Sequence, residues 1–486
     1  MNKLKIVVLS LALSCFYSCQ DFEELQLDPN RTTQATPDLL LTNLETRAFN
    51  EIQLSAALAS RYLVNTDGVS LNQYYGWQRS DFGSYDHLRQ VVKLEEEAAR
   101  VNKPVYMALA KFFKSYFIIG LTQTFGDVPY TEAFRGDENV FSPTYDKQEG
   151  IYLGVLEDLK EANAMLANTQ ETISGDVIYS GNLEKWQKLV NSFTLRVLMN
   201  LSLKENNANL NVKQRFQEIV NDPAQFPIFA SNSDNAALPF YDLEDNRYPY
   251  FNSNDIQTAY YMEETFVSLL QDLEDPRLFE VADRAPDGAA LPAEDPQAYG
   301  GVKGSDALDV NKQRVVGGEA SKINARYYSN PVNEPSVALG FAEVQFILAE
   351  AVVRGWVSGN AEEHYKKGVE ASMLFYGIPH DSIAAYLAQP EVQLQSNNQL
   401  NTILTQKYIS FFMNSGWQPF YEQRRTGIPA FDVSGGGMLN DKQIPKRWMY
   451  PESEFNLNRQ NVEAAIASQF PEGDNINATM WLLQPE

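Results

Sequence analysis

Apolar residues recur at helical spacing over most of this 486-residue chain. Leu40, Leu41, Leu44, Ala48 and Ile52 form one such stripe, opened by Thr36 as a cap and Pro37 in the first turn. A second helix is predicted from Pro104 to about Thr124, ended by Gly126 and Pro129. A third follows Ser142-Pro143 and runs to about Ala167. Asn182 caps a fourth, with Trp186, Leu189, Phe193, Val197 and Leu201 on one face. Glu263 to Leu273 reads as a further helix. Leu348, Ala349, Ala361, Tyr365 and Gly368 place small and large residues at tetratricopeptide offsets, with Gly355 and Gly359 in the turn between two helices. Ser382–Leu387 and Gln399–Asn414 form a second candidate pair.

Three stretches break the period. Asn65 to Tyr85 carries Tyr74, Tyr75, Trp77, Phe82 and Tyr85 among Gly, Ser, Asn and Asp. Asn221 to about Tyr261 and Asp283 to Asn333 are rich in Pro, Gly, Asp, Asn and Tyr. Long irregular segments in a compact body are functional or disordered, and their aromatic content predicts ordered, functional loops.

The first residues read differently. Lys3 and Lys5 precede an apolar run, Ile6 to Leu13, too short to span a bilayer. Small residues and a cysteine follow, so residues 1–18 are expected to be an export signal. Both cysteines of the chain, Cys15 and Cys19, fall in this region. Either could accept acyl chains. The polar and acidic Gln20, Asp21, Glu23 and Glu24 favour Cys19, whereas Ala12, Leu13 and Ser14 suit Cys15 about as well. Lipidation at Cys19 would leave no thiol for a disulfide or a nucleophile. Residues 19–35, with Asp28-Pro29-Asn30, read as a tether from membrane to body. No later stretch reaches about 18 uninterrupted apolar residues, so an anchored rather than a spanning protein is expected.

Charge and composition narrow the function. The formal net charge is −24, and loss of Lys3 and Lys5 makes it more negative still. Such a chain does not bind nucleic acid through its bulk field. Arg424, Arg425, Lys446 and Arg447 cluster in sequence and are expected to form internal ion pairs. The 25 Tyr, 27 Phe and 6 Trp, with frequent Asn and Gln, supply core and also suit surfaces that stack on and hydrogen-bond sugars or peptides. Catalytic signatures are missing. The three histidines, His87, His364 and His380, have no metal-ligand spacing, and no phosphate loop or nucleophile elbow occurs. Asp242, Glu244 and Asp245 lack calcium-loop spacing. A glycosidase-type carboxylate pair stays open among 63 acidic residues. No cofactor is expected.

Several blocks, in order along the chain, resemble the SusD/RagB family of nutrient-binding outer-membrane lipoproteins. They are the lipidated start, FGDVPYTEAF (125–134), LEDPRL (273–278), FAEVQFILAEAVVRG (341–355) with EASMLFYGI, QKYISFFMNSGWQPFYEQRRTGIP (406–429) and IPKRWMYPESEFNLNRQN (444–461). The resemblance implies a mostly α fold for residues 36–486, with tetratricopeptide-like helix pairs scaffolding a loop-rich ligand-binding half. It implies a Bacteroidetes cell-surface lipoprotein, anchored in the outer membrane through Cys19. That protein would bind oligosaccharides, or peptides in one branch. It would pass them to a SusC-like TonB-dependent β-barrel transporter, as its lid and without catalysis. By region, the ligand contacts would come from Asn72, Tyr74, Tyr75 and Trp77 in the first loop. The irregular middle would add Tyr241, Tyr248, Tyr250, Phe251 and Tyr299. The competing readings are a periplasmic helical scaffold and a helical glycoside hydrolase.

Overall fold

The computed structural model describes residues 35–486. The signal, Cys15, Cys19 and the tether up to residue 34 lie outside the described residues. The predicted first helix is Pro37–Ala48 (α1), with Pro37 at its first position and Leu40, Leu41, Leu44 and Ala48 buried. Thr36 precedes it in extended conformation, but its side chain makes no capping bond. Ser84–Arg100 (α2) was not expected. Its Leu88, Val91, Leu94 and Ala98 are buried, but charged residues fill the rest of the segment and obscure the stripe.

Pro104–Phe125 (α3) is buried nearly all round and stops at Gly126, whose φ is +96°. A Cβ at Gly126 would stand 2.5 Å from Gln469 Oε1, so glycine is required there. By length and composition α3 could cross a membrane, but 72% of its apolar window is buried inside the protein. It is a core helix. Gln148–Ala167 (α4) starts later than Ser142-Pro143 suggests, because Asp146 is still bridged to Val128. Leu183–Asn200 (α5) is capped as predicted: Asn182 Oδ1 accepts from Lys185 N at 3.0 Å. Val212–Asn221 (α6) follows.

The tetratricopeptide-like pair is present as Phe341–Val353 (α7) and Ala361–Phe375 (α8). Asn360 caps α8, and a Cβ on Gly368 would stand 2.8 Å from the Phe346 ring. The small residue therefore sets how closely the two helices approach. Gln399–Ser410 (α9) and Gln418–Thr426 (α10) complete this side. The helices pack as successive neighbours: α2 on α3, α3 on α4, α4 on α5, and α7 on α8 and α9. Among the described residues, strands are short. Leu63–Asn65 (β1) pairs antiparallel with Tyr260–Met262 (β3), and Ala236–Leu238 (β2) with Ser336–Leu339 (β4). The irregular segments are thus ordered, tied by two small sheets and, for residues 283–333, by isolated bridges such as Glu263 to Val302 and Ala282 to Ile323.

Buried charges tie these helices together. Arg425 holds both oxygens of Glu350, at 2.6 and 2.8 Å, and one of Glu422 at 2.6 Å. Arg277, in the LEDPRL block, chelates Asp275 and reaches Ser372 and Gln406. Arg447 pairs with Asp474. Arg424 departs from the expected ion pairing. It donates to the carbonyls of Lys446 (2.6 Å) and Gln123 (2.8 Å) and lies over the Tyr421 ring. Lys446 departs too: it is exposed and donates to Thr479 at 2.6 Å. With Arg425 and Arg447 buried, the four cations form no surface patch.

Candidate functional site

The first aromatic loop is pinned from beneath by Arg61. Its buried guanidinium donates to Gln73 O at 2.6 Å and Asp432 O at 3.1 Å, and sits 4.3 Å from the centre of the Tyr75 ring. Glu263, buried beside it, accepts from Gly304 N at 3.0 Å. Burial raises the pKa of Glu263, and the Arg61 charge opposes that shift. Three distant segments, 61–80, 300–306 and 432–448, are gathered by these contacts. Ser305 and Asp432 are hydrogen-bonded, and Leu439 N donates to Tyr74 O at 2.9 Å.

Within this frame the expected ligand residues divide. Tyr74, Tyr75 and Trp77 are buried. Tyr75 donates from its hydroxyl to Ala59 O at 2.9 Å. Trp77 donates to Arg447 O at 3.2 Å and stacks on Trp448, with ring centres 4.7 Å apart and planes within 10°. Packed on all sides, these rings offer no free face to a sugar. Asn72, half-buried on the same loop, remains accessible, and Val69, Leu71 and Leu439 are exposed around it.

The second group divides in the same way. Tyr248 is buried among Phe240, Tyr250 and Tyr327. Tyr250 and Phe251 are half-buried, and Tyr241 is exposed. The Tyr250 hydroxyl accepts from Leu54 N and donates to Ile52 O, which ties this loop to the segment after α1. Asn65 reaches the Tyr260 hydroxyl and links the two loop groups. Tyr299 stands apart and buried, packed on Phe279 and bonded to Ala293 O. The accessible members of the two groups are therefore Asn72, Tyr241, Tyr250 and Phe251. The buried members fix the backbones that carry them. Asp242 is paired with Arg247 at 2.7 Å, and no cluster of three metal-ligating side chains occurs among the described residues.

The sequence reading missed Trp417. Trp448 packs edge-on against it at 4.7 Å, and Trp417 lines a cleft on the helical side of the cluster. Its signal lay in the block QKYISFFMNSGWQPFYEQRRTGIP, which reads as scaffold.

A helical-repeat scaffold carrying a cross-linked, aromatic, loop-rich face defines a class of binding proteins. Residues 29–451 match the SusD-like family described as starch-binding and associating with the outer membrane. The chain belongs to the SusD-like family. An outer-membrane protein from Bacteroides vulgatus, described in terms of nutrient binding, is 40% identical. The match covers 93% of this chain and all of that one, with a TM-score of 0.87. A SusD homologue from Bacteroides fragilis gives the same identity, coverage and TM-score. A chitin-binding protein is 26% identical over 92% of this chain and all of that one, with a TM-score of 0.76. No curated protein matches the sequence.

Proposed function

We propose that this protein is a cell-surface lipoprotein that captures neutral oligosaccharides and delivers them to a SusC-like TonB-dependent outer-membrane transporter. Membership of a carbohydrate-binding, outer-membrane-associated family over nearly the whole body carries this reading. The chitin-binding relative favours glycan over peptide, and the net charge of −24 disfavours anionic glycans. On this reading Asn72, Tyr241, Tyr250 and Phe251 contact ligand, while Tyr74, Tyr75, Trp77, Tyr248 and Tyr299 hold the loops. A few stacked rings and amide contacts give micromolar to millimolar affinity, weak enough for release. Cys19 anchors the chain and residues 19–35 tether it, so that the body can swing over the barrel mouth and raise the local ligand concentration.

The test is purification of the tagged full chain from outer membranes. The expected result is co-purification of a large β-barrel, loss of membrane attachment in Cys19→Ser, and glycan binding without product release. A soluble wild-type protein, or glycan turnover abolished by changing one carboxylate, would overturn the proposal.

A further inference from the structure

The cleft lined by Trp417 has a volume of about 270 Å³, and none of Asn72, Tyr241, Tyr250 and Phe251 lines it. Its walls come from the segment after α1 (Glu51), the first turn of α2 (His87), one side of α3 (Tyr116, Gly120, Gln123) and the turn before α10 (Trp417). Three observations mark it as a built site rather than a packing gap.

The first is its polar lining. Gln123 is buried, yet its Oε1 makes no hydrogen bond of good geometry, and the same holds for the buried Nδ1 of His87. Buried polar atoms without partners are costly and uncommon. The buried Tyr152 hydroxyl faces the Gln123 side chain in a contact short of good hydrogen-bond geometry, so Gln123 is only loosely held.

The second is Gly120. It stands deep in a 22-residue helix, where glycine is unfavourable. A Cβ there would meet nothing within 4 Å. Gly120 is exposed on the cleft wall and no steric demand explains the glycine; a long side chain there would narrow the cleft.

The third is charge. Arg196 is neutralised by Glu343, to which it donates twice, and it also donates to Ala338 O. Glu51 accepts from the Tyr116 hydroxyl and from Gln53 Nε2 at 3.1 Å. Burial raises the pKa of Glu51, and His87 is held towards its neutral form by burial and the Arg47 charge. Arg47 lines the cleft but is exposed and donates to Asn43. The interior thus offers aromatic walls and uncharged donors and acceptors.

We infer that this cleft binds one ring of a neutral sugar, with the C–H face against the aromatic wall and hydroxyls on Gln123 and His87. The inference rests on the glycan-binding reading and adds a site separate from the loop face. A hydroxyl both donates and accepts, which suits such a lining, whereas a peptide terminus would bring a charge, and the cation of the lining that has no carboxylate partner, Arg47, is solvent-exposed.

The full chain is titrated with glucose, galactose, mannose and N-acetylglucosamine, and separately with trialanine, following tryptophan fluorescence. Wild type is expected to show saturable change with at least one sugar. Gly120→Leu, which fills the cleft, should weaken that binding by roughly tenfold or more, with an unchanged or higher thermal midpoint. Lys367→Ala, at an exposed position on α8 outside both the cleft and the loops, should leave it intact. Should Gly120→Leu misfold, His87→Ala carries the same comparison. Sugar binding lost in Asn72→Ala but kept in a folded Gly120→Leu would overturn the cleft site and leave the glycan reading standing. Trialanine binding that depends on Gly120, with no sugar response, would overturn both. No response to any probe would overturn the cleft site alone, since the glycan reading is tested by transporter co-purification.

Discussion

At the residue scale, Glu45 on α1 shows how burial decides a protonation state. Its side chain is fully buried, and Oε2 accepts from Val177 N at 2.6 Å. Neighbouring Asp176 already accepts from three backbone N–H groups and from Trp186 Nε1 at 2.9 Å. Burial first, and then the Asp176 charge, push the Glu45 pKa up to about 10. The native state therefore keeps a proton that the unfolded chain sheds near pH 4.5. The stability this gives is complete below that pH and is lost as pH rises towards 10. Glu45→Gln mimics the protonated acid and removes the titration. We predict that its urea midpoint exceeds that of wild type at pH 8 and converges with it near pH 5. The gap should grow by at most about 1.4 kcal/mol per pH unit. Parallel profiles would show that Glu45 is ionised in the native protein.

At the element scale, the aromatic layer of Trp77, Trp448, Trp417 and Phe420 locks the first loop to α10. Trp77→Ala removes a buried indole and its hydrogen bond, which costs about 3–5 kcal/mol for a change of this kind. The expected outcome is a markedly lower urea midpoint, with glycan affinity of the folded fraction changed less than by Asn72→Ala. Loss of glycan binding at unchanged stability would instead make Trp77 a contact residue. This pair of outcomes marks what the sequence made legible. Caps, prolines and the offsets from Leu348 to Gly368 announce helices, because those signals are local. The loop at 65–85 was legible as aromatic and aperiodic. Whether Trp77 faces solvent depends on Trp448, far along the chain, and no local pattern carries that. Trp417 was hidden for the same reason inside a scaffold-like block. Helix α2 was missed because its charged face outweighs its narrow apolar stripe.

At the scale of the whole molecule, the excess of acidic residues sets what may approach. Buried Arg196, Arg277, Arg425 and Arg447 are paired with Glu343, Asp275, Glu350, Glu422 and Asp474, and buried Arg61 lies beside Glu263, so these arginines contribute little attractive field at the surface. The net charge of −24 is therefore expressed outward. Stacking and neutral hydrogen bonds at Asn72, Tyr241 or the Trp417 cleft have no net Coulomb component with an uncharged sugar. Capture of a neutral glycan should then be insensitive to salt, whereas a polyanion should be repelled over the Debye length, about 10 Å at 0.1 M and 3 Å at 1 M. We predict that affinity for a neutral oligosaccharide changes less than about twofold between roughly 0.1 M and 1 M sodium chloride. Any residual binding of polygalacturonate should rise over the same range. Calorimetric titration of the full chain measures both. Neutral-glycan affinity that falls steeply with salt would place a charged contact in the binding site, and polygalacturonate binding strongest at low salt would require a basic patch on a surface whose net charge is strongly negative.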